Sequence, residues 1–151
     1  MKSQINTASP DRAERASIKT ITNNKELHEI VDQFQSAPFL AVDTEFMRER
    51  TYYPQLCLVQ ISNGAIAVAI DPLAKGLDLT PLWTLMQDKK IVKVFHAGQQ
   101  DMEIFLHQMG QLPAPIYDTQ VAAMVCGLGD QVGYDKLVKA LLDDEIDKTS
   151  R

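Results

Sequence analysis

The chain has 151 residues, 45% of them apolar and 23% charged, a balance that fits one domain with its own hydrophobic core. No apolar run approaches the ~20 residues that cross a bilayer, so no membrane partner is predicted. A net charge of −5 argues against a passive nucleic-acid binder, which ordinarily has an excess of Lys and Arg, but not against an enzyme that meets phosphates through bound cations.

Residues 1–20 are polar and show no clear period, and they read as a tail. Asn23 can cap a helix, with Glu26 three residues later in the capping-box position. Leu27, Ile30, Val31 and Phe34 then fall at i, i+3, i+4 and i+7, which predicts a helix over about 24–35. Three strand-like runs follow, at Phe39–Phe46, Gln55–Ser62 and Ala65–Ile70. Asn63-Gly64 between the last two is a two-residue hairpin signal. Both faces of the middle run are apolar, which predicts a central strand covered on both sides.

Beyond Asp71-Pro72 the texture changes. Leu79 to Met86 reads as a helix with Pro81 in its first turn, and Ile91 to Phe95 as a short strand. Gly98 to Met109 is helical, with Met102, Phe105, Leu106 and Met109 on one stripe and Gly110 as its stop. A strand at Ile116-Tyr117, a helix over Thr119–Cys126 and a last helix marked by Tyr134, Leu137, Val138, Leu141 and Leu142 complete the order. Hairpin strands followed by βαβα units predict an α/β fold, a mixed sheet with helices on its faces. Cys57 and Cys126 lie far apart in apolar contexts, which predicts reduced, buried thiols in a cytoplasmic protein rather than a disulfide or a zinc site.

Within this pattern "AVDTEF" is out of place, because strands disfavour Asp and a buried carboxylate is costly unless compensated. Residues two apart on a strand share a face, so Asp43 and Glu45 project side by side. Their repulsion is relieved by a cation or a shared proton, and Mg²⁺ or Mn²⁺ suits an all-oxygen donor set. A wet, idle strand end accounts for D-x-E equally well. Asp101 is a third acid, in the first turn of a helix that follows a strand, where the helix dipole alone also accounts for it.

"FLAVDTEFMRERTYYPQLCLVQIS" and "VFHAGQQDMEIF" resemble the first and second motifs of the ribonuclease D family of DEDD 3′-to-5′ exonucleases. "PAPIYDTQVAA" resembles the segment that follows the second motif. The resemblance runs from about residue 22 to the end. It implies a ribonuclease-H-like fold, with a mixed five-stranded sheet flanked by helices. It further implies hydrolysis of terminal phosphodiesters of RNA by two divalent ions, Mg²⁺ or Mn²⁺, with release of nucleoside monophosphates. Carried over by motif, Asp43 would bridge the two ions, Glu45 would bind the water-activating ion and Asp101 would support the second. The implied partner is a single-stranded RNA 3′ end, with tRNA precursors as the expected source.

The family's third motif, a Tyr followed four residues later by an acid, does not occur in the chain. Tyr53, Tyr117 and Tyr134 are followed at that offset by Cys57, Val121 and Val138. Residues 21–151 therefore read as the N-terminal part of an exonuclease domain, with the third motif and the helical RNA-binding domains expected outside the chain. The alternative is a non-catalytic ribonuclease-H-like module that binds RNA or protein. His96 and Asp101 form H-x-x-x-x-D, the third motif of a sister branch, but "HAG" and the spacing fit the second motif better. His96 is read as substrate-adjacent or structural. Phe46 and Met47 are candidates for contacting the terminal base or sugar, Phe46 equally a core residue. Gln99 and Gln100 fit hydrogen bonding to the substrate or plain helix-end solvation. Arg48 and Arg50 fit phosphate contact or exposed loop charge, Asp118 reads as a helix N-cap, and Trp83 as core.

Overall fold

The computed structural model describes residues 18–48 and 52–146. In chain order the elements are β1 (Lys19–Ile21), α1 (Asn24–Phe34), β2 (Phe39–Met47), β3 (Gln55–Ser62), β4 (Ala67–Ile70) and α2 (Thr80–Gln87). They continue with β5 (Val92–Phe95), α3 (Gln99–Met109), β6 (Ile116–Asp118), α4 (Thr119–Val125) and α5 (Tyr134–Leu142). One six-stranded sheet has the order β1-β4-β3-β2-β5-β6. The meander β2-β3-β4 is antiparallel, while β5 joins β2, β6 joins β5 and β1 joins β4 in parallel. No helix among the described residues is long and apolar enough to cross a membrane.

The α1 cap forms as its sequence requires. The Asn23 side chain accepts from the Glu26 amide at 3.0 Å and donates to the Glu26 carboxylate at 2.8 Å. Leu27, Ile30, Val31 and Phe34 then enter one core with Leu40 and Val42 of β2, Leu85 of α2, and Ile104 and Phe105 of α3. Trp83 lies at the edge of this core, perpendicular to Phe105 at 6.0 Å. Lys93 on β5 is fully buried, its ammonium donating to the carbonyls of Asp88 and Ile91, and burial lowers its pKa.

Four expectations are corrected. Residues 19 and 20, read as the end of a tail, belong to β1, which makes the sheet six-stranded rather than five. β1 has one buried apolar residue, Ile21, so three residues show no periodicity, and only pairing with β4 creates the strand. The hairpin tip is Gly64-Ala65 rather than Asn63-Gly64. The Asn63 side chain accepts from the Ala65 and Ile66 amides, and Gly64 takes φ +90°, which a side chain would disfavour. The middle strand is not sealed on both faces. Its register slips against Glu45/Phe46, leaving Cys57 as the extra residue, so Leu56 joins Val59 and Ile61 on the buried side while Leu58 and Gln60 stay half-buried. Both cysteines are free, as expected, but Cys57 is half-buried and Cys126 exposed.

Ile21→Ala is expected to cost about 2–4 kcal/mol, as for other buried large-to-small changes. Thr20→Ala on the exposed side of β1 should stay within about 0.5 kcal/mol. Urea unfolding of the two variants checks whether β1 is integral to the sheet.

Candidate active site

The site is built where β2 outruns β5. The parallel pairing of the two strands stops at Ala41, opposite Val94, while β2 continues to Met47. The β5-side edge of β2 is open from there on. Leu40, Val42 and Thr44 point into the protein, and Asp43 and Glu45 take the other face, opposite Gln60 and Leu58 of β3.

Asp101 comes to this edge from α3, held inward by Ile104 and Phe105 in the core. Its Oδ1 accepts from the Thr44 amide at 3.1 Å and from the Thr44 hydroxyl at 2.5 Å. The carboxylate thus takes the N–H that β5 no longer reaches. Asp101 is 8% exposed, and its Oδ2 carries no hydrogen bond among the described residues.

Burial raises the pKa of Asp43, with the Glu45 charge adding to it and the Thr44 amide opposing. Burial also raises that of Asp101, opposed by the Thr44 hydroxyl and reinforced by the Asp43 charge. The Glu45 charge thus acts on Asp43, and the Asp43 charge on Asp101. Neither Asp43 nor Glu45 has an ion-pair partner among the described residues. The three acids do not close into a cage, since no group of three His, Cys, Asp or Glu side chains there is gathered tightly enough to hold a metal ion. They form a chain centred on Asp43, two from one sheet face and one from the core side. An all-oxygen donor set with an unused Oδ2, like-charge repulsion and no ion-pair partner among the described residues fits Mg²⁺ or Mn²⁺ in chemistry.

The remaining sequence candidates separate. Phe46 is half-buried against the core, under the Arg48 guanidinium at 5.6 Å, and Arg48 also pairs with Glu103 of α3 at 2.8 Å. Met47 is exposed. Gln99 and Gln100 are exposed on the first turn of α3, and Gln100 makes no hydrogen bond within the described residues. Arg50 lies outside the described residues. His96 lies 2.9 Å from Thr119 Oγ1 through its Nδ1, while the Thr119 hydroxyl donates to the Phe95 carbonyl. The hydroxyl proton being used, His96 Nδ1 carries the hydrogen of that contact. Its Nε2 is buried without a partner, and its ring meets Tyr134 edge-on at 5.5 Å. Thr44 is the participant that sequence reasoning missed. A Thr between two acids is ordinary strand composition, and its partner lies 57 positions away.

Residues 18–151 match the family model described as 3′-5′ exonuclease. The chain belongs to this exonuclease family. It is 54% identical over 131 residues to a ribonuclease D of Gluconacetobacter diazotrophicus, covering 87% of this chain and 33% of that protein. Among solved structures, Escherichia coli RNase D, an exoribonuclease involved in structured RNA processing, is similar with TM-score 0.82 and 39% identity, over 87% of this chain and 35% of that one. Brucella melitensis NrnC with bound Mg²⁺ is similar with TM-score 0.68 and 28% identity, over 87% and 62%. The exonuclease-family chain thus spans about a third of the length of the ribonuclease D relatives it matches. The ribonuclease-H-like α/β fold inferred from the motifs agrees with these neighbours.

The Asp43 shift sets a pH dependence. Its folded pKa is above the unfolded value, so the native protein binds the proton more tightly and gains stability as pH falls through the folded pKa toward ~4. Asp43→Asn is expected to raise the melting temperature of the metal-free protein at pH 7 by about 1–3 °C, the scale of a solvent-screened term. The gain should vanish below about pH 4. Thermal melts across pH in a chelating buffer provide the check.

Proposed function

We propose that this chain forms part of a metal-dependent 3′-to-5′ exoribonuclease of ribonuclease D type, acting in the cytoplasm on single-stranded 3′ ends of RNA, tRNA precursors among them. The observation that carries the reading is the conjunction of Asp43, Glu45 and Asp101 at the open edge of β2 with an exonuclease-family match over residues 18–151. RNA as substrate is supported by the Escherichia coli relative, which is an exoribonuclease, and a divalent ion by the Mg²⁺ bound to the Brucella neighbour.

Asp43, Glu45 and Asp101 are the residues that would hold two divalent ions, Mg²⁺ or Mn²⁺. When bound, such ions activate water and offset charge on the scissile phosphodiester. The chain's own residues do the rest. Thr44 fixes Asp101 through Oδ1 and leaves Oδ2 for ligation. The D-x-E spacing keeps two carboxylates on one side of the strand, with no Lys or Arg paired to them among the described residues. Phe46, Met47 and Gln100 are the proposed substrate-side residues, Met47 and Gln100 by exposure and Phe46 by its position after Glu45, while the buried Nε2 of His96 leaves that residue the structural one of its two expected roles.

The fourth acid and its tyrosine are not among the 151 residues, and the aligned region is only 33% of the ribonuclease D relative. Residues 1–151 alone are therefore expected to trim RNA at near-background rates, since losing a positioned acid–base partner costs about 10²–10⁴-fold. A longer protein that includes a downstream Y-x-x-x-D should release mononucleotides in Mn²⁺ or Mg²⁺. The assay uses end-labelled single-stranded RNA with a free 3′ hydroxyl, beside the same RNA blocked by a 3′ phosphate. RNA binding without trimming by the longer protein would replace this reading with the non-catalytic module. In the 151-residue chain, Mn²⁺ should raise the melting temperature of wild type by mass action and that of Asp43→Asn less. Identical responses would remove Asp43 from the site.

A further inference from the structure

The Asp118 carboxylate does more than cap α4. Its Oδ1 accepts from the Gln120 amide at 2.8 Å and the Val121 amide at 3.3 Å, which is the N-cap expected of an Asp before a helix. The same Oδ1 also accepts from the Ala97 amide at 3.2 Å, and Oδ2 accepts from the Gly98 amide at 2.8 Å. Ala97 and Gly98 lie between β5 and α3, the helix that carries Asp101.

That junction needs an external hold. Ala97 sits at φ +55°, in the left-handed region that L-residues disfavour. Gly98, the N-cap of α3, has no side chain to satisfy the helix start. It cannot be given one cheaply, because a Cβ there would lie 2.7 Å from the Phe95 Cβ. The turn is thus tight and strained, and Asp118 is the side chain that ties both of its amides.

We infer that Asp118 is a positioning residue, whose carboxylate fixes Ala97-Gly98 and through them the first turn of α3, so that Asp101 is delivered to Thr44 at the open edge of β2. The inference rests on the reading of Asp101 as a site residue, and it assigns Asp118 no contact with metal or RNA.

Asp118→Asn separates the two roles. Its carbonyl oxygen can keep the Gln120 and Val121 bonds, while its NH₂ group faces the Gly98 amide, donor against donor. The readout is native-state hydrogen exchange of the Thr44 amide in the 151-residue chain, which reports whether Asp101 stays in place. In Asp118→Asn, Thr44 protection should fall about tenfold further than the mean fall across β3, the loss expected for one hydrogen bond to a charged group. Adding Ala97→Gly, which removes the left-handed strain, should restore part of that protection. Equal loss at Thr44 and β3 would reduce Asp118 to a cap of α4 and overturn the proposal. Mn²⁺ titrated alone supplies the second readout. Asp118→Asn should still show a Mn²⁺-dependent melting shift, at a higher Mn²⁺ concentration than wild type. Complete loss of that shift with Thr44 protection intact would make Asp118 a ligand and also overturn it. If wild type shows no Mn²⁺ shift but Thr44 still responds to Asp118→Asn, the metal reading fails and the positioning of Asp101 stands.

Discussion

A strand that extends beyond its neighbour leaves backbone donors without partners, and buried ones must be satisfied. β2 does this past Ala41, and the Asp101 carboxylate meets the Thr44 amide and hydroxyl there. One contact therefore joins the antiparallel half of the sheet to the βα half. It also brings an acid from α3 within reach of the Asp43 charge on β2. The location is the carboxyl end of β5, where the first parallel neighbour stops, and open α/β sheets generally form their ligand crevices at such ends. The site is a consequence of unequal strand lengths. Had β5 run alongside β2 as far as Glu45, the Thr44 amide would have no use for Asp101.

The three aspartates here divide by what surrounds them. Burial pushes Asp43 and Asp101 up, with too few donors to offset it and an acidic neighbour adding to the cost. Asp118 is also penalised by burial, yet four backbone amides, from Gly98, Gln120, Val121 and Ala97, outweigh the penalty and hold its pKa low. A carboxylate with its lone pairs filled by amides is a structural anion. One with an unfilled oxygen and a like-charged neighbour gains from a cation. This difference, rather than residue type, separates the surroundings of Asp43 and Asp101 from those of Asp118. The same sign rule makes their acid behaviour opposite. Protonation relieves the Asp43 cluster, while at Asp118 it removes stability that is present above the unfolded pKa and lost as pH falls through the depressed folded one.

Local patterns carried most of the fold. α1 was legible because its cap and its 3.6-residue stripe agree, and β2, β5 and α3 because apolar runs end at recognisable breaks. What was illegible depends on partners distant in sequence. β1 has three residues and becomes a strand only against β4. The slip at Cys57 follows from how β3 meets Glu45 and Phe46, and no side-chain alternation announces it. At the site, D-x-E and the start of α3 were readable, and the motif resemblance linked them. Thr44 as the joint was not readable. For Asp118 the cap was visible in "YDT", but the two bonds reaching back to Ala97 and Gly98 were not, because a cap signature describes only the residues that follow it.

His96 shows why geometry has to arbitrate between motifs. H-x-x-x-x-D is a formal match to a branch that uses histidine as its base, which "HAG" and the spacing disfavour and the geometry tests independently. The Thr119 hydroxyl spends its proton on the Phe95 carbonyl, which commits His96 Nδ1 to donating and leaves only Nε2 to accept. That nitrogen is buried, beside the Tyr134 ring, whereas a general base must reach the proton it abstracts in the substrate's vicinity. His96 instead completes the packing between the end of β5 and α4–α5. Together with Asp118 it ties the β5–α3 turn to that layer from both ends, His96 through its ring and Ala97-Gly98 through their amides. The turn's strain is tolerable because two independent contacts restrain it, and the acid that depends on the turn lies three residues further along.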